Sequence, residues 1–169
     1  IQNNLDPTSM LGRLASINLD KTLFIIISKS GSTDEVKRNL TTLLDYWSAQ
    51  AKSDITEKFA RQSVYITEPP KEGKKNFLHG MRVELKSKTG FEPPYLENDP
   101  NIGGRFSLFS PVGMFSAELM GLDSDALING AKQVFDKFKQ SKSIQDSVIA
   151  KLAVLDIFLA RRDIVSRYS

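Results

Sequence analysis

The sequence predicts an α/β protein with a mostly parallel sheet, and two strands with a helical stretch between them carry this prediction. Residues 22–27 read TLFIII, a β-rich apolar run that is typical of a strand buried on both faces. Residues 63–67 read SVYIT and predict a second short strand. The stretch from Asp45 to Gln62 is helical or turn-like and too long for a hairpin, so the two strands are expected to run parallel.

Helices are predicted wherever apolar residues recur at helical spacing. A first helix over residues 11–17 is expected to follow a strand that ends near Asn3. Ser110 and Pro111 suit the start of another helix, and Gly121 suits its end. Longer apolar stripes, the first with Trp47 in the core, run from Val36 to Ala51, from Leu127 to Phe138 and from Ile144 to Leu159. Residues 163–169 predict the start of a further strand.

The segment 69–99 differs from the rest of the chain because it is rich in Lys, Pro and Gly. We predict an excursion from the sheet there, either irregular or with a hairpin through residues 77–86. His79 is then expected to be a surface or hairpin side chain. The short basic run of Lys71, Lys74 and Lys75 is expected to be solvated surface.

Composition excludes several classes of function. The chain has 169 residues, about one domain, and a net charge of +3 (23 − 20), which is too small to predict nucleic-acid binding. With no Cys and one His, a disulfide scaffold, a thiol nucleophile and a multi-histidine metal site are excluded. The longest apolar run, Leu23 to Ile27, is far shorter than the roughly 20 residues of a membrane span. We therefore expect no cofactor, no metal, no membrane contact and a cytoplasmic location. Because the chain begins with Ile1, we expect it to be part of a longer protein.

The loop between the first strand and the next helix, residues 28–33, has the composition of an anion-binding site. It holds four hydroxyl side chains, one lysine and one glycine, in the order SKSGST. Free amides at a helix N-terminus attract anions, and hydroxyls add donors that phosphate oxygens accept. Gly31 permits the tight turn that presents those amides. The alternative is an ordinary polar loop in which Thr33 or Asp34 caps the helix.

A second signal is the segment Asn101 to Ser107, which reads NIGGRFS. Gly103 and Gly104 permit close approach of the backbone to a ligand, and Arg105 adds a permanent cation beside them. Such a cation can stabilise an oxyanion without exchanging protons. The alternative is a Gly-Gly turn followed by a surface arginine.

Taken in order, these segments resemble the phosphoglucose isomerase family. The matching stretches are NNLDP at 3–7, TLFIIISKSGSTDE at 22–35, GGRFSLFSPVG at 103–113, GLD at 121–123 and LINGA at 127–131. The serine and threonine loop alone is typical of the wider sugar-isomerase (SIS) domain superfamily. The Gly-Gly-Arg segment narrows the resemblance to the phosphoglucose isomerase family. It implies a flavodoxin-like three-layer α/β/α sandwich with a mostly parallel sheet over residues 1–169, without the family's second domain.

The resemblance also implies a reaction, the interconversion of glucose 6-phosphate and fructose 6-phosphate through a cis-enediol(ate) in glycolysis and gluconeogenesis. The sugar phosphate would be held by Ser28, Lys29, Ser30 and Thr33, with Lys29 acting through its backbone. Arg105 would stabilise the enediolate, and Gly103 and Gly104 would let the substrate approach. Two positions depart from the family pattern, because Val36 replaces a threonine and Phe106 replaces a frequent tyrosine.

The family's catalytic base, ring-opening histidine and late lysine are expected beyond Ser169. We therefore expect this chain to be inert by itself and the full-length protein to form a homodimer. Three alternatives stay open at this point. The chain could be a non-catalytic phosphosugar-binding regulatory domain, the isomerase part of a transaldolase fusion, or a relative acting on amino sugars. Arg105 favours the isomerase, because regulatory domains of this superfamily do not normally carry the Gly-Gly-Arg-aromatic-Ser segment.

Overall fold

Three strands form one parallel sheet in the computed structural model, which describes residues 6–51 and 53–162. The strands β1 (Phe24–Ile27), β2 (Ser63–Thr67) and β3 (Tyr95–Glu97) lie in that order. β2 pairs in parallel with both neighbours. This confirms the predicted α/β class, with the parallel sheet of a three-layer α/β/α fold.

The described part of the chain contains seven α-helices. Their bounds are α1 Pro7–Ala15, α2 Asp34–Ala51, α3 Thr56–Arg61, α4 Phe77–Thr89, α5 Pro111–Leu119, α6 Ser124–Gln140 and α7 Val148–Ala160. Helices α2 and α3 connect β1 to β2, and α4 connects β2 to β3. Every predicted helix is present, although the last stripe begins as a 3₁₀ turn at Ile144–Asp146. The strands predicted near Asn3 and at 163–169 lie outside the described residues.

The core lies between the sheet and the crossover helices, because β2 is buried along its whole length. Trp47 of α2 is only 2% exposed, which confirms its predicted place in the core. Its ring lies 5.5 Å from that of Phe24 on β1, and Phe24 also contacts Phe59 of α3. These contacts fix α2 against β1, and with it the loop that joins the two elements.

The predicted hairpin through residues 77–86 is wrong, because this stretch forms helix α4. Asn76 begins the helix by accepting a hydrogen bond from the His79 amide, and Gly90 ends it in the left-handed region at φ +73°. Leu78 and Leu85 lie buried on one face. Neither is the wider segment 69–99 an excursion, since it supplies the third strand of the sheet.

The chain divides into two compact units, Ile1–Ser116 and Ala117–Ser169. The first contains the sheet and α1 to α4. In the second, the predicted apolar stripes are found on α6 and α7, but their large side chains are exposed; Phe135 is 57% exposed and Leu152 56%. Among the described residues, no helix combines the length and the apolar character needed to cross a membrane.

Candidate functional site

The loop at 28–33 lies at the carboxyl end of β1 and leads directly into α2. Ser28 is 5% exposed, and its hydroxyl oxygen lies 2.7 Å from the hydroxyl oxygen of Thr33, across the loop. The Gly31 amide donates to the Ser28 carbonyl at 3.1 Å, and Gly31 adopts φ +65°, which glycine tolerates best. The loop is therefore a closed turn that joins its two ends through hydroxyl groups.

Several backbone amides of this turn are available to a ligand. Those of Lys29, Ser30 and Thr33 make no hydrogen bond to any described residue. The first amides of α2 have no intrahelical partner by the geometry of a helix, and Lys37 is the first to bond back, to the Thr33 carbonyl. The positive end of the α2 dipole adds to their partial charges. Together these groups can bind an anion.

The end of β2 and the start of α4 hold the backbone of this turn in place. The Lys29 carbonyl accepts hydrogen bonds from the Glu68 amide at 3.0 Å and from the Thr67 hydroxyl at 3.3 Å. The Leu78 amide donates to the Gly31 carbonyl at 3.0 Å. The Ser32 hydroxyl also bonds to the backbone that leads into α4. The turn thus contacts both β2 and the start of α4.

A buried carboxylate lies next to this turn. The side chain of Glu68 is 5% exposed and forms ion pairs with Lys71 at 3.6 Å and with Lys74. The hydrogen bond from Lys74 holds the pKa of Glu68 below its ordinary value, and the charges of both lysines act in the same direction. Two lysines of the basic run therefore neutralise a buried acid, so the prediction of a purely solvated run is wrong for Lys71 and Lys74.

The Gly-Gly-Arg segment follows β3. Gly103 precedes a 3₁₀ helix at Gly104–Phe109, and the Ser107 hydroxyl donates to the Gly104 carbonyl at 2.6 Å. The side chain of Arg105 is exposed and makes no hydrogen bond or ion pair with the described residues. Because β1 and β3 flank β2 and all three run parallel, their carboxyl ends share one edge of the sheet, with β1 and β3 about 10 Å apart.

The sheet topology therefore brings the loop residues Ser28, Lys29, Ser30 and Thr33 to the edge from which the Gly-Gly-Arg segment leaves β3. Among the residues that the structure describes, no hydrogen bond joins Arg105 to the loop at 28–33. Within the described ranges, acidic and histidine side chains form no cluster of three that could bind a metal ion.

Four residues near the loop were not singled out from the sequence as part of a site: Thr67, Glu68, Asn76 and His79. The His79 Nε2 atom lies 3.0 Å from the Glu68 carbonyl oxygen, and its ring contacts Tyr95 edge-on. The signal that could have found them is Asn76, a favoured N-cap residue just before a helical stretch with a buried face.

A parallel α/β fold whose first strand ends in a turn of free amides and hydroxyls has the chemistry to bind a small anion at the carboxyl ends of its strands. The chain belongs to the phosphoglucose isomerase family, whose profile matches residues 1–163. A relative from Carboxydothermus hydrogenoformans, named glucose-6-phosphate isomerase, is 28% identical over 162 residues, 96% of this chain and 32% of that protein. A relative of the same name from Campylobacter jejuni is 34% identical over 151 residues, 89% of this chain and 33% of that protein.

The fold is also similar to a solved structure, that of a hypothetical protein from Thermus thermophilus. The TM-score is 0.68 at 27% sequence identity, and the match covers 93% of this chain and 34% of that one. The chain thus spans about a third of the length of the curated relatives it matches.

Proposed function

We propose that this chain forms the phosphate-binding part of a glucose-6-phosphate isomerase, which interconverts glucose 6-phosphate and fructose 6-phosphate through a cis-enediol(ate). The observation that carries the proposal is the turn at 28–33, where free amides, hydroxyls and the start of α2 meet in a member of this family. The proposed setting is glycolysis and gluconeogenesis in the cytoplasm.

The phosphate group is assigned to the turn. A sugar phosphate brings about two negative charges, which suits an amide cradle at a helix N-terminus. Ser30 and Thr33 would donate their hydroxyls, and Lys29 its backbone amide. Ser28 is assigned to the phosphate as well. Because Ser28 is buried and its hydroxyl contacts that of Thr33, it also holds the Thr33 hydroxyl in place.

Arg105 is assigned to the reacting carbons. An enediolate develops negative charge during proton transfer, and a guanidinium stays protonated throughout, so it can stabilise that charge without competing for the proton. Gly103 and Gly104 leave room for the substrate to approach. Phe106 is largely exposed and has no hydroxyl to offer the site.

The remaining catalytic steps are assigned to parts of the enzyme outside this chain, which spans about a third of the length of its relatives. Aldose–ketose isomerisation needs a base that moves a proton between adjacent carbons. We assign that base, and the histidine that opens the sugar ring, to the remaining two thirds of the length seen in the relatives. The full-length protein is proposed to be a homodimer. The isolated 169-residue chain is expected to show no turnover.

The test is the isomerase activity of the full-length protein carrying Arg105→Ala. Loss of one oxyanion-stabilising group costs about 100- to 1000-fold in kcat, while the circular dichroism spectrum should be unchanged. The matched control is Arg61→Ala, another exposed arginine, which lies just before β2 at the opposite edge of the sheet; its kcat should stay within about twofold. Full activity in the Arg105 variant would overturn the assignment, and no isomerase activity in the unaltered protein would overturn the proposed function.

A further inference from the structure

The side chain of Asn76 connects the start of α4 to the turn at 28–33. Its Oδ1 atom accepts the His79 amide at 3.1 Å, and its Nδ2 atom donates to the Thr67 hydroxyl at 3.2 Å. Thr67 is fully buried, and its hydroxyl donates in turn to the Lys29 carbonyl at 3.3 Å. A chain of two hydrogen bonds thus runs from the carboxamide to the backbone of the turn.

The same carboxamide also packs against Gly31. A Cβ atom built on Gly31 would lie 1.9 Å from Oδ1 of Asn76 and 2.2 Å from its Cγ, so Asn76 occupies the space beside this residue. On the other side, the Gly31 carbonyl accepts the Leu78 amide. Gly31 is therefore held at φ +65° by a side-chain contact from Asn76, the N-cap of α4, and by a backbone hydrogen bond from Leu78 in the first turn of that helix.

We propose that Asn76 is a positioning residue for the phosphate turn, acting through Thr67 and Gly31 rather than by touching the substrate. Binding groups that are fixed before the ligand arrives lose less entropy on binding, so a braced turn binds phosphate more tightly than a free one. The inference deepens the proposed function and rests on it, because it concerns how the same site is held in shape.

A helix cap alone would account for one of the contacts of Asn76, so the test must preserve the cap. Asn76→Ser does this, because serine is also a favoured N-cap residue but is too short to replace the carboxamide beside Gly31 and Thr67. Thr67→Val breaks the same connection from its other end and serves as the second variant if the first does not fold. The matched control is Asp54→Ser, which alters the turn side chain that accepts the Thr56 amide at the start of α3, before β2.

The experiment uses the full-length protein, with glucose 6-phosphate binding measured by calorimetry and turnover measured separately. Losing one net hydrogen-bond contribution should weaken binding about 3- to 10-fold in Asn76→Ser and in Thr67→Val, with kcat within about twofold. Amide hydrogen exchange at Gly31, whose amide is hydrogen-bonded within the turn, should be faster in both variants. Asp54→Ser should leave the affinity and the exchange of that amide unchanged.

Three results would overturn the inference. The first is unchanged affinity and unchanged exchange at Gly31 in Asn76→Ser and Thr67→Val. The second is an equal loss of affinity in the Asp54 control, which would indicate a general loss of stability. The third, absence of binding by the unaltered protein, would overturn the proposed function and this inference with it; the first two would leave the proposed function standing.

Discussion

Replacing Thr33 with valine removes one hydroxyl from the proposed phosphate site with little change in side-chain volume. The hydroxyl lies 2.7 Å from that of Ser28, at the last position before α2. Ser28 is buried, so its hydroxyl loses a partner that water replaces poorly. The substitution therefore tests the site in two ways, through ligand affinity and through the stability of the turn.

The expected magnitudes follow from these two losses. A hydrogen bond to a charged phosphate contributes about 1.5–3 kcal/mol, so the KM for glucose 6-phosphate should rise roughly 10- to 100-fold. Leaving the Ser28 hydroxyl unpaired should cost about 1–3 kcal/mol of stability. Adding Ser28→Ala removes the orphaned group, so the double variant should be more stable than the two separate losses would give when added.

The assay is steady-state isomerisation by the full-length protein, with unphosphorylated fructose as a competing ligand. Only the phosphorylated sugar should bind more weakly to the Thr33→Val variant. Thr41→Val is the matched control, since its hydroxyl bonds to the Lys37 carbonyl further along the same helix. An equal loss of affinity for both sugars, or a KM unchanged from that of the unaltered protein, would refute the assignment of Thr33 to the phosphate group.

Two further predictions concern the surroundings of the turn. Gly31→Ala places a Cβ atom onto Asn76 and adds about 1–2 kcal/mol of left-handed strain, so the melting temperature and the phosphate affinity should both fall; a normal melting curve would contradict this. The pKa of Glu68 is lowered in the folded protein. Its ion pairs therefore stabilise the fold at pH values above about 4.5, the ordinary pKa of this carboxyl group, and the stabilisation is lost as the pH falls through the lowered pKa. Glu68→Gln should therefore lower the melting temperature at pH 7 and flatten the acid side of the stability profile measured by thermal unfolding, and an unchanged acid side would contradict the pairing.

The strand, turn and helix from residue 22 to residue 51 could be predicted because their signals are local. An apolar β-rich run and a helical stripe each show within a short window. Helix α4 was missed because only Leu78, Met81 and Leu85 mark its apolar face, and Gly80 lies among them. Its capping residue was visible in the sequence, but it follows a Pro- and Gly-rich stretch that is typical of loops.

The candidate site, like the fold, could be predicted only in part from the sequence. The residue types at 28–33 predict an anion-binding turn, and the structure shows a closed turn with free amides there. What holds this turn comes from residues far along the chain, such as the backbone of Lys75, which the Ser32 hydroxyl contacts across 43 positions. No periodicity encodes such a pairing, because it arises only when α4 packs next to the end of β1.

Helices α6 and α7 leave large apolar side chains such as Phe135 and Leu152 in water. Each such side chain forgoes the roughly 1.5–3 kcal/mol that complete burial would contribute. Side-chain burial therefore stabilises these two helices less than it stabilises the sheet. On heating, α6 and α7 should melt before the sheet, which has its own enclosed core.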